Sequence, residues 1–406
     1  MNFIESFSWI ISEADRPRYA LHVARCLGAD PEIGPRASWI QETDPVLFLG
    51  RLAAGLEKKE KLWLVPPRWS NTEKDALEEQ VEADFSFGEP GDILIPTGGS
   101  SGQIKCARHT WDTLKAAADA LFARLGMPIG SWIHLPLAHV SGLMPVVRAV
   151  VSGGSVRFGN EVATRPENLQ GVWTTSIVGT QLKRILDAGE TSAYHAFDIV
   201  FIGGGPVDSV LLEAARDVGL ALAPCYGATE TAAMVSYLEP DQFGQGQVNA
   251  GSLLPGVSIE SDENGQLLIT SPANCLGYAG QPRCAPGTPW QSGDLGTLTD
   301  DRLSIQGRVD RLIITGGEKV NPLEVESALR SLPAVIDALV VGQVDAEWGE
   351  RVVAWVVSED GFQPDNVSLP LARYKWPRNY VLVEKLPLQG NGKVDPVALA
   401  KLLAEL

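Results

Sequence analysis

The residues best equipped for chemistry lie in Thr97-Gly98-Gly99-Ser100-Ser101-Gly102-Gln103-Ile104-Lys105. Glycines and hydroxyl residues offer little side chain to a core. They do supply backbone N–H groups, hydroxyl donors and one ammonium, which is the equipment for wrapping a polyphosphate. The spacing is not that of a Walker A loop, because Gln103 and Ile104 separate Gly102 from Lys105. A flexible surface loop is the competing reading of the same composition. His139 is a second candidate: it stands beside Ser141 and Gly142 where an apolar stretch ends, a usual place for a ligand pocket in α/β folds. Taken alone, a histidine is more simply structural. Glu230, Asp294, Arg308 and Lys393 also sit in glycine-containing stretches. Each has a plain alternative: an acid at a helix N-terminus, a turn cap, a surface ion pair and a solvated turn lysine.

The elements that must position these residues can be read from the pattern around them. Ile93-Leu94-Ile95-Pro96 reads as a buried strand that ends at the proline. Thr110 or Asp112 can cap a helix running to Leu125, with Leu114, Ala117, Ala118, Leu121 and Phe122 on one face and Gly126 closing it. Trp132 to Leu135 reads as a strand leading to His139. Ile199-Val200-Phe201-Ile202 opens into Gly203-Gly204-Gly205-Pro206 and then a helix, but Val207 and Asp208 break the dinucleotide fingerprint. A similar junction precedes Cys225-Tyr226-Gly227-Ala228-Thr229-Glu230. Repeated strand–turn–helix units predict a largely parallel sheet with ligands at the strand C-terminal edge. From Gly251 short alternating strands predict a small β-rich subdomain. Beyond about Asp310 a compact α/β unit begins, with a helix opened by Asn321-Pro322, strands at 338–342 and 351–357, and a last helix after Asp395-Pro396. Residues 1 to about 90 predict a packed α/β subdomain without chemistry of its own.

Bulk properties narrow the class. A chain of 406 residues with 45% hydrophobic content can bury a large core. Its net charge of -17 argues against a general nucleic-acid or anionic-membrane surface. The five cysteines have no C-x-x-C spacing and the histidines no H-E-x-x-H pattern, so neither a disulfide framework nor a zinc site is indicated. The N-terminus lacks signal-peptide features, and apolar runs such as Met144 to Val151 are too short to span a bilayer. A cytoplasmic protein without membrane insertion is expected. A homo-oligomer is compatible with these features.

TGGSSGQIK (97–105), LPLAHVSG (135–142), CYGATE (225–230), SGDLG (292–296), GRVDRLIITGGEKVNPLEVE (307–326) and GNGKVD (390–395), in this order, resemble the adenylate-forming superfamily of acyl-CoA synthetases, adenylation domains and luciferases. The N-terminal part looks shortened. Within that group, Lys105 to Thr110, Leu135 to Gly142 and Gln181 to Leu186 are similar to the o-succinylbenzoate–CoA ligases of menaquinone and phylloquinone synthesis. The resemblance implies a large N-terminal adenylation domain, 1–309, and a mobile α/β C-terminal domain, 310–406. It implies ATP, Mg²⁺ and CoA, and two half-reactions. A carboxylate first gives an acyl-adenylate and pyrophosphate; CoA then displaces AMP.

By the same resemblance Thr97, Gly98, Gly99, Ser100, Ser101, Gly102 and Lys105 cradle the phosphates. Gly204, Gly205, Pro206, Tyr226, Gly227 and Ala228 line the adenine. Thr229 contacts phosphate, Glu230 holds Mg²⁺, and Asp294 and Arg308 bind the ribose. Asp310 is the hinge. Lys393 delivers charge to the carboxylate and α-phosphate, which fits the need to bring two anions together. Gly316 and Gly317 meet CoA, and His139, with Ser141, borders the acyl pocket. Two positions depart from the family pattern: Ile104, usually proline, and Arg311, often an acid.

No acid lies between His139 and Asn160, which disfavours an amino-acid substrate. Arg148, Lys183 and Arg184 are candidate partners for the second carboxylate of a dicarboxylic aromatic acid. Three functions remain open at this level: a ligase for 2-succinylbenzoate or for another aryl or fatty acid, a stand-alone adenylating enzyme that loads a carrier protein, and a nucleotide-binding protein without turnover.

Overall fold

The computed structural model describes residues 1–28, 39–84, 89–98, 104–159, 165–167, 169–359, 362–387 and 399. Contacts divide the chain into two units, one of Met1–Pro206, Leu211–Ser258 and Ile269–Trp290, the other of Val207–Val210, Ile259–Leu268 and Gln291–Leu406.

The first unit begins with α1 (Phe3–Ile10), α2 (Arg16–Gly28), β1 (Trp39–Ile40), α3 (Pro45–Glu57), β2 (Leu62–Leu64), α4 (Asn71–Asp84), β3 (Asp92–Gly98) and β4 (Ile104–Thr110). Asp44 starts α3 by accepting from the N–H groups of Val46 and Leu47 at 2.9 and 3.1 Å, with Pro45 pre-set at the first helical position. Strands β1, β2 and β3 are parallel, and β4 returns antiparallel to β3. The strand expected to stop at Pro96 continues to Gly98. Pairing with β2 ends at Leu94, so the missing N–H of Pro96 costs that ladder nothing. The two ends of the candidate phosphate stretch are therefore paired, Thr97 facing Lys105 and Gly98 facing Ile104.

Next come α5 (Trp111–Leu125), β5 (Ile129–Ile133), α6 (Val140–Ser152), β6 (Val156–Phe158), β7 (Val172–Ile177), α7 (Gly179–Asp187), β8 (Ile199–Ile202), α8 (Ser209–Asp217), β9 (Leu222–Ala228), β10 (Ala233–Tyr237), α9 (Pro240–Gly244) and β11 (Ser252–Leu253). Thr110, rather than Asp112, caps α5, and Gly126 ends it. The strands lie in the order β6-β5-β7-β8-β9-β10-β11. They are parallel from β6 to β9, and β10 and β11 are antiparallel. Ile95, Leu114, Ala118, Leu143, Val146 and Val147 belong to one buried cluster that joins the hairpin to α5 and α6.

The remaining elements are β12 (Ser258–Ser261), β13 (Gln266–Thr270), β14 (Trp290–Thr299), β15 (Arg302–Arg308), β16 (Ile313–Thr315), β17 (Glu318–Val320), α10 (Pro322–Arg330), β18 (Val335–Asp345), β19 (Gly349–Ser358) and β20 (Asn379–Leu382). In the second unit β16, β17, β18, β19 and β20 form a sheet covered by α10, whose Val325 and Leu329 are fully buried with Ala338, Val340 and Val352. Asn321 caps α10, accepting from the Leu323 N–H at 3.1 Å. The β-rich stretch is present, but its contacts divide it: 259–268 groups with the second unit and 269–290 with the first. The division near Gln291 also precedes the boundary expected at Asp310, because β14 and β15 pair as a hairpin and β15 leads into the α10 region. The expected last helix lies outside the described residues, apart from Leu399.

Candidate active site

In the first unit several candidate residues lie at one edge of the parallel strands. Strands β5, β7, β8 and β9 are parallel neighbours, so their C-terminal ends open on the same side. Beyond β5, His139 caps α6, its carbonyl accepting from Gly142 and Leu143 at 3.0 Å. Beyond β8, Gly204, Gly205 and Pro206 are exposed. Tyr226, Gly227 and Ala228 close β9 and pair with β10. Gly227 is required there, since a Cβ would lie 1.9 Å from the Ala233 carbonyl oxygen.

Thr229 and Glu230 form a tight turn, Thr229–Thr231, held from several sides. Thr231 is fully buried and its hydroxyl lies 2.7 Å from the Ala233 carbonyl. His109 of β4 is fully buried and its Nε2 is 2.8 Å from the Thr229 carbonyl. A carbonyl can only accept, so Nε2 carries the proton and Nδ1 accepts from the Thr113 hydroxyl at 3.0 Å. Burial lowers His109 to about 4 and keeps it neutral. The Glu230 carbonyl accepts from the Cys275 N–H at 2.7 Å, and its carboxylate Oε1 accepts from the Tyr278 hydroxyl at 2.9 Å. The turn then continues through Ala232 and Ala233 at φ of 51° and 77°, a conformation that costs energy for alanine and that the surrounding bonds must hold.

Lys105 leans over the Tyr278 ring, with Nζ 5.8 Å from its centroid. The segment carrying Tyr278 is stitched to β4: the Arg108 N–H donates to the Gly277 carbonyl at 2.8 Å, and the Arg108 carbonyl accepts from the Leu276 N–H at 2.7 Å. Beneath it Asp92 bridges two arginines, Arg108 Nε at 3.3 Å and Arg283 Nη1 at 2.6 Å, with Asp92 and Arg108 fully buried. Ile104, the departure from proline, packs with a cluster containing Trp39, Trp63 and Trp69, and its carbonyl accepts from the Gln80 amide. Gly99, Ser100, Ser101 and Gly102 lie outside the described residues.

The three candidate cations for the acyl substrate differ sharply. Arg148 is buried in α6, 5.7 Å from the Phe201 ring centroid and beside Cys225, and its Nε makes no hydrogen bond. Burial pulls its guanidinium down to about 10, still cationic at neutral pH, and pushes the Cys225 thiol up to about 11. Lys183 and Arg184 are exposed on α7, and Lys183 pairs with Asp187 at 3.1 Å. Ser141 is half-buried at the start of α6.

The second unit carries Asp294, Arg308 and Asp310. Arg308 donates from Nη1 to Asp294 at 3.0 Å and from Nε and Nη2 to the two Asp310 oxygens at 2.8 and 3.0 Å. The bonds to Asp310 above all raise the Arg308 pKa. Arg311, the other departure, pairs at 2.5 Å with Glu326, a buried acid on α10 that also accepts from the Val340 N–H at 3.0 Å. Gly316 has φ of 58° and a Cβ there would meet the Trp348 ring at 2.9 Å; Gly317 is at 84°. Lys393 lies outside the described residues. Among the described residues no cluster of His, Cys, Asp and Glu forms a multidentate metal site, and no helix is long and apolar enough to cross a membrane. A magnesium ion held by one carboxylate together with phosphate oxygens needs no such cluster, and buried Glu230 fits that donor set.

A family model for AMP-binding enzymes matches residues 41–279, and one for the C-terminal domain of AMP-binding enzymes matches 324–393. The chain belongs to the AMP-binding enzyme family. A probable 2-succinylbenzoate–CoA ligase of Mycobacterium tuberculosis is 34% identical over 351 residues, covering 80% of this AMP-binding enzyme and 86% of that protein. A 2-succinylbenzoate–CoA ligase of Listeria monocytogenes is 29% identical, covering 80% and 72%. The structure of o-succinylbenzoate CoA synthetase (MenE) from Bacillus subtilis with its acyl-adenylate intermediate shares the fold, with TM-score 0.78, 23% identity and coverage of 97% and 96%. The same enzyme with ATP and magnesium gives TM-score 0.63 at 28% identity, covering 74% and 68%.

Sequence reasoning missed His109, Tyr278 and the Asp92–Arg108–Arg283 cluster of this AMP-binding enzyme. His109 and Arg108 lay inside a stretch noted for its family likeness, but Thr229 and Gln281, which they reach, are distant in sequence. Only the alternation of β4, which turns Arg108 and His109 to opposite faces, was available as a signal.

Proposed function

We propose that this AMP-binding enzyme is an AMP-forming acid–CoA ligase whose substrate is 2-succinylbenzoate, converted with ATP and CoA to 2-succinylbenzoyl-CoA, AMP and diphosphate. The observation that carries the choice of acid is Arg148, a buried cation whose Nε lacks a hydrogen bond. A buried guanidinium with an unsatisfied Nε is costly, and a second carboxylate on the substrate would answer it. Lys183 and Arg184, being exposed, are weaker candidates. The two 2-succinylbenzoate–CoA ligases above support the same choice. A reaction on ATP and CoA accords with a cytoplasmic location.

In the first half-reaction a substrate carboxylate oxygen attacks the α-phosphorus and diphosphate leaves. The stretch Thr97 to Lys105 holds the departing phosphates through backbone N–H groups and the Lys105 ammonium. Thr229 adds a hydroxyl, and Gly204, Gly205, Pro206, Tyr226, Gly227 and Ala228 receive the adenine. Asp294 and Arg308 take the ribose hydroxyls. Glu230 would hold Mg²⁺, which when bound neutralises charge on the phosphate oxygens. Lys393 approaches the carboxylate and α-phosphate and offsets their repulsion. In the second half-reaction the 310–406 domain turns about Asp310 and withdraws Lys393. Gly316 and Gly317 then border the pantetheine arm, His139 shifts at the acyl pocket, and the CoA thiolate attacks the acyl carbon to expel AMP.

Thioester formation should require ATP, CoA and 2-succinylbenzoate, with simple aryl and fatty acids turned over far more slowly. Arg148→Leu should raise KM for 2-succinylbenzoate by about 10- to 100-fold, the loss expected for a charged hydrogen bond. Lys393→Ala should abolish ATP–pyrophosphate exchange yet leave thioester formation from preformed acyl-adenylate. Failure of 2-succinylbenzoate to form a thioester overturns the substrate. Equal loss of both half-reactions in Lys393→Ala overturns domain alternation.

A further inference from the structure

We infer that Tyr278 is the positioning residue that couples the metal-directed carboxylate to the phosphate loop; this rests on the reading of Glu230 as the magnesium carboxylate. Its hydroxyl donates to Glu230 Oε1 at 2.9 Å, and its ring lies under the Lys105 ammonium at 5.8 Å. One side chain thus lies against both charges that a metal–triphosphate complex would meet, of opposite sign, one on β4 and one in the turn after β9. The two contacts use different parts of the tyrosine, the donor and the π face, so they can be separated by substitution.

The residue is built to stay in place. Tyr278 forms a backbone bridge with Ala107, Ala279 N–H donates to the Cys106 carbonyl at 2.9 Å, and Arg108 Nη1 donates to Gln281 at 3.2 Å. A donor fixed on one carboxylate oxygen sets the carboxylate's rotation and would leave its other oxygen for the metal. This is the role an outer hydrogen-bond partner plays for a metal-ligating acid.

The test is metal affinity rather than turnover. Mn²⁺ titrated into the full chain with ATP, without acid or CoA, is followed by the electron-paramagnetic signal of free Mn²⁺. Tyr278→Phe keeps the ring and removes the donor. It should weaken Mn²⁺ binding in the ATP complex about tenfold, while ATP binding in excess chelator stays at the wild-type level. Tyr278→Leu, which also removes the ring, should weaken ATP binding without metal as well. ATP binding in chelator also reports that each variant is folded. Glu230→Gln separates the two ideas. If it leaves Mn²⁺ affinity intact, the reading of Glu230 fails. If it abolishes that affinity and Tyr278→Phe matches wild type, the inference about Tyr278 fails. Equal weakening of metal-free and metal-bound ATP by Tyr278→Phe reduces the residue to a packing role and also overturns the inference.

Discussion

The two units each carry a trio of arginines and aspartates, and the trios are opposite in make-up. In the first, Asp92 is shared by Arg108 and Arg283, with Asp92 and Arg108 both at 0% exposure. In the second, Arg308 is shared by Asp294 and Asp310, and its side chain is 43% exposed. Burial decides what each can do. Charges taken out of water hold only while all partners stay, so the Asp92 trio is architecture that fixes the Tyr278 segment to β4. Partners in contact with water exchange cheaply, as the proposed ribose contact and domain rotation would require of Arg308. The same residue types make a rivet in one place and a latch in the other.

Removing Arg108 should have the largest effect. Arg108→Met leaves Asp92 buried with Arg283 alone and should lower unfolding free energy by about 3 kcal/mol, measured by urea denaturation at pH 7. Acid should test the same unit nearly as hard through His109. Its folded pKa of about 4 lies below the ordinary 6.5, so between those values the unfolded chain binds the extra proton and stability falls on acidification. The loss should approach about 3 kcal/mol by pH 4, and His109→Gln should flatten that part of the pH–stability curve. Arg308→Ala should be the mildest for stability, within about 1 kcal/mol because water and salt screen the pair. It should nevertheless raise KM for ATP in pyrophosphate exchange roughly tenfold. A destabilisation of Arg308→Ala equal to that of Arg108→Met would break the comparison.

Much of the fold was legible because local rules and tertiary packing agree. Thr110 and Gly126 mark both ends of α5, and Asn321-Pro322 opens α10 where the pattern places it. The hairpin arms were missed because Pro96 reads as a strand end, whereas pairing with β4 carries β3 beyond it. Arg148 was legible as one of three cations but not as the buried one. Leu182 and Ile185 inside α7 do predict that Lys183 and Arg184 face outward. Tyr278 and the Asp92 trio were out of reach for another reason. The Tyr278–Glu230 bond spans 48 residues and the Arg283–Asp92 bond 191, and no local spacing announces either. Arg311 became intelligible only once Glu326, buried on α10, was found beneath it.

Ile104 has a consequence of an optical kind. As the first residue of β4, next in sequence to Lys105, it packs against a cluster containing Trp39, Trp63 and Trp69. Indole emission responds to the polarity and packing of its surroundings, so movement of the hairpin would be transmitted to native chromophores. If nucleotide binding shifts β4, native tryptophan emission should report it without an attached dye.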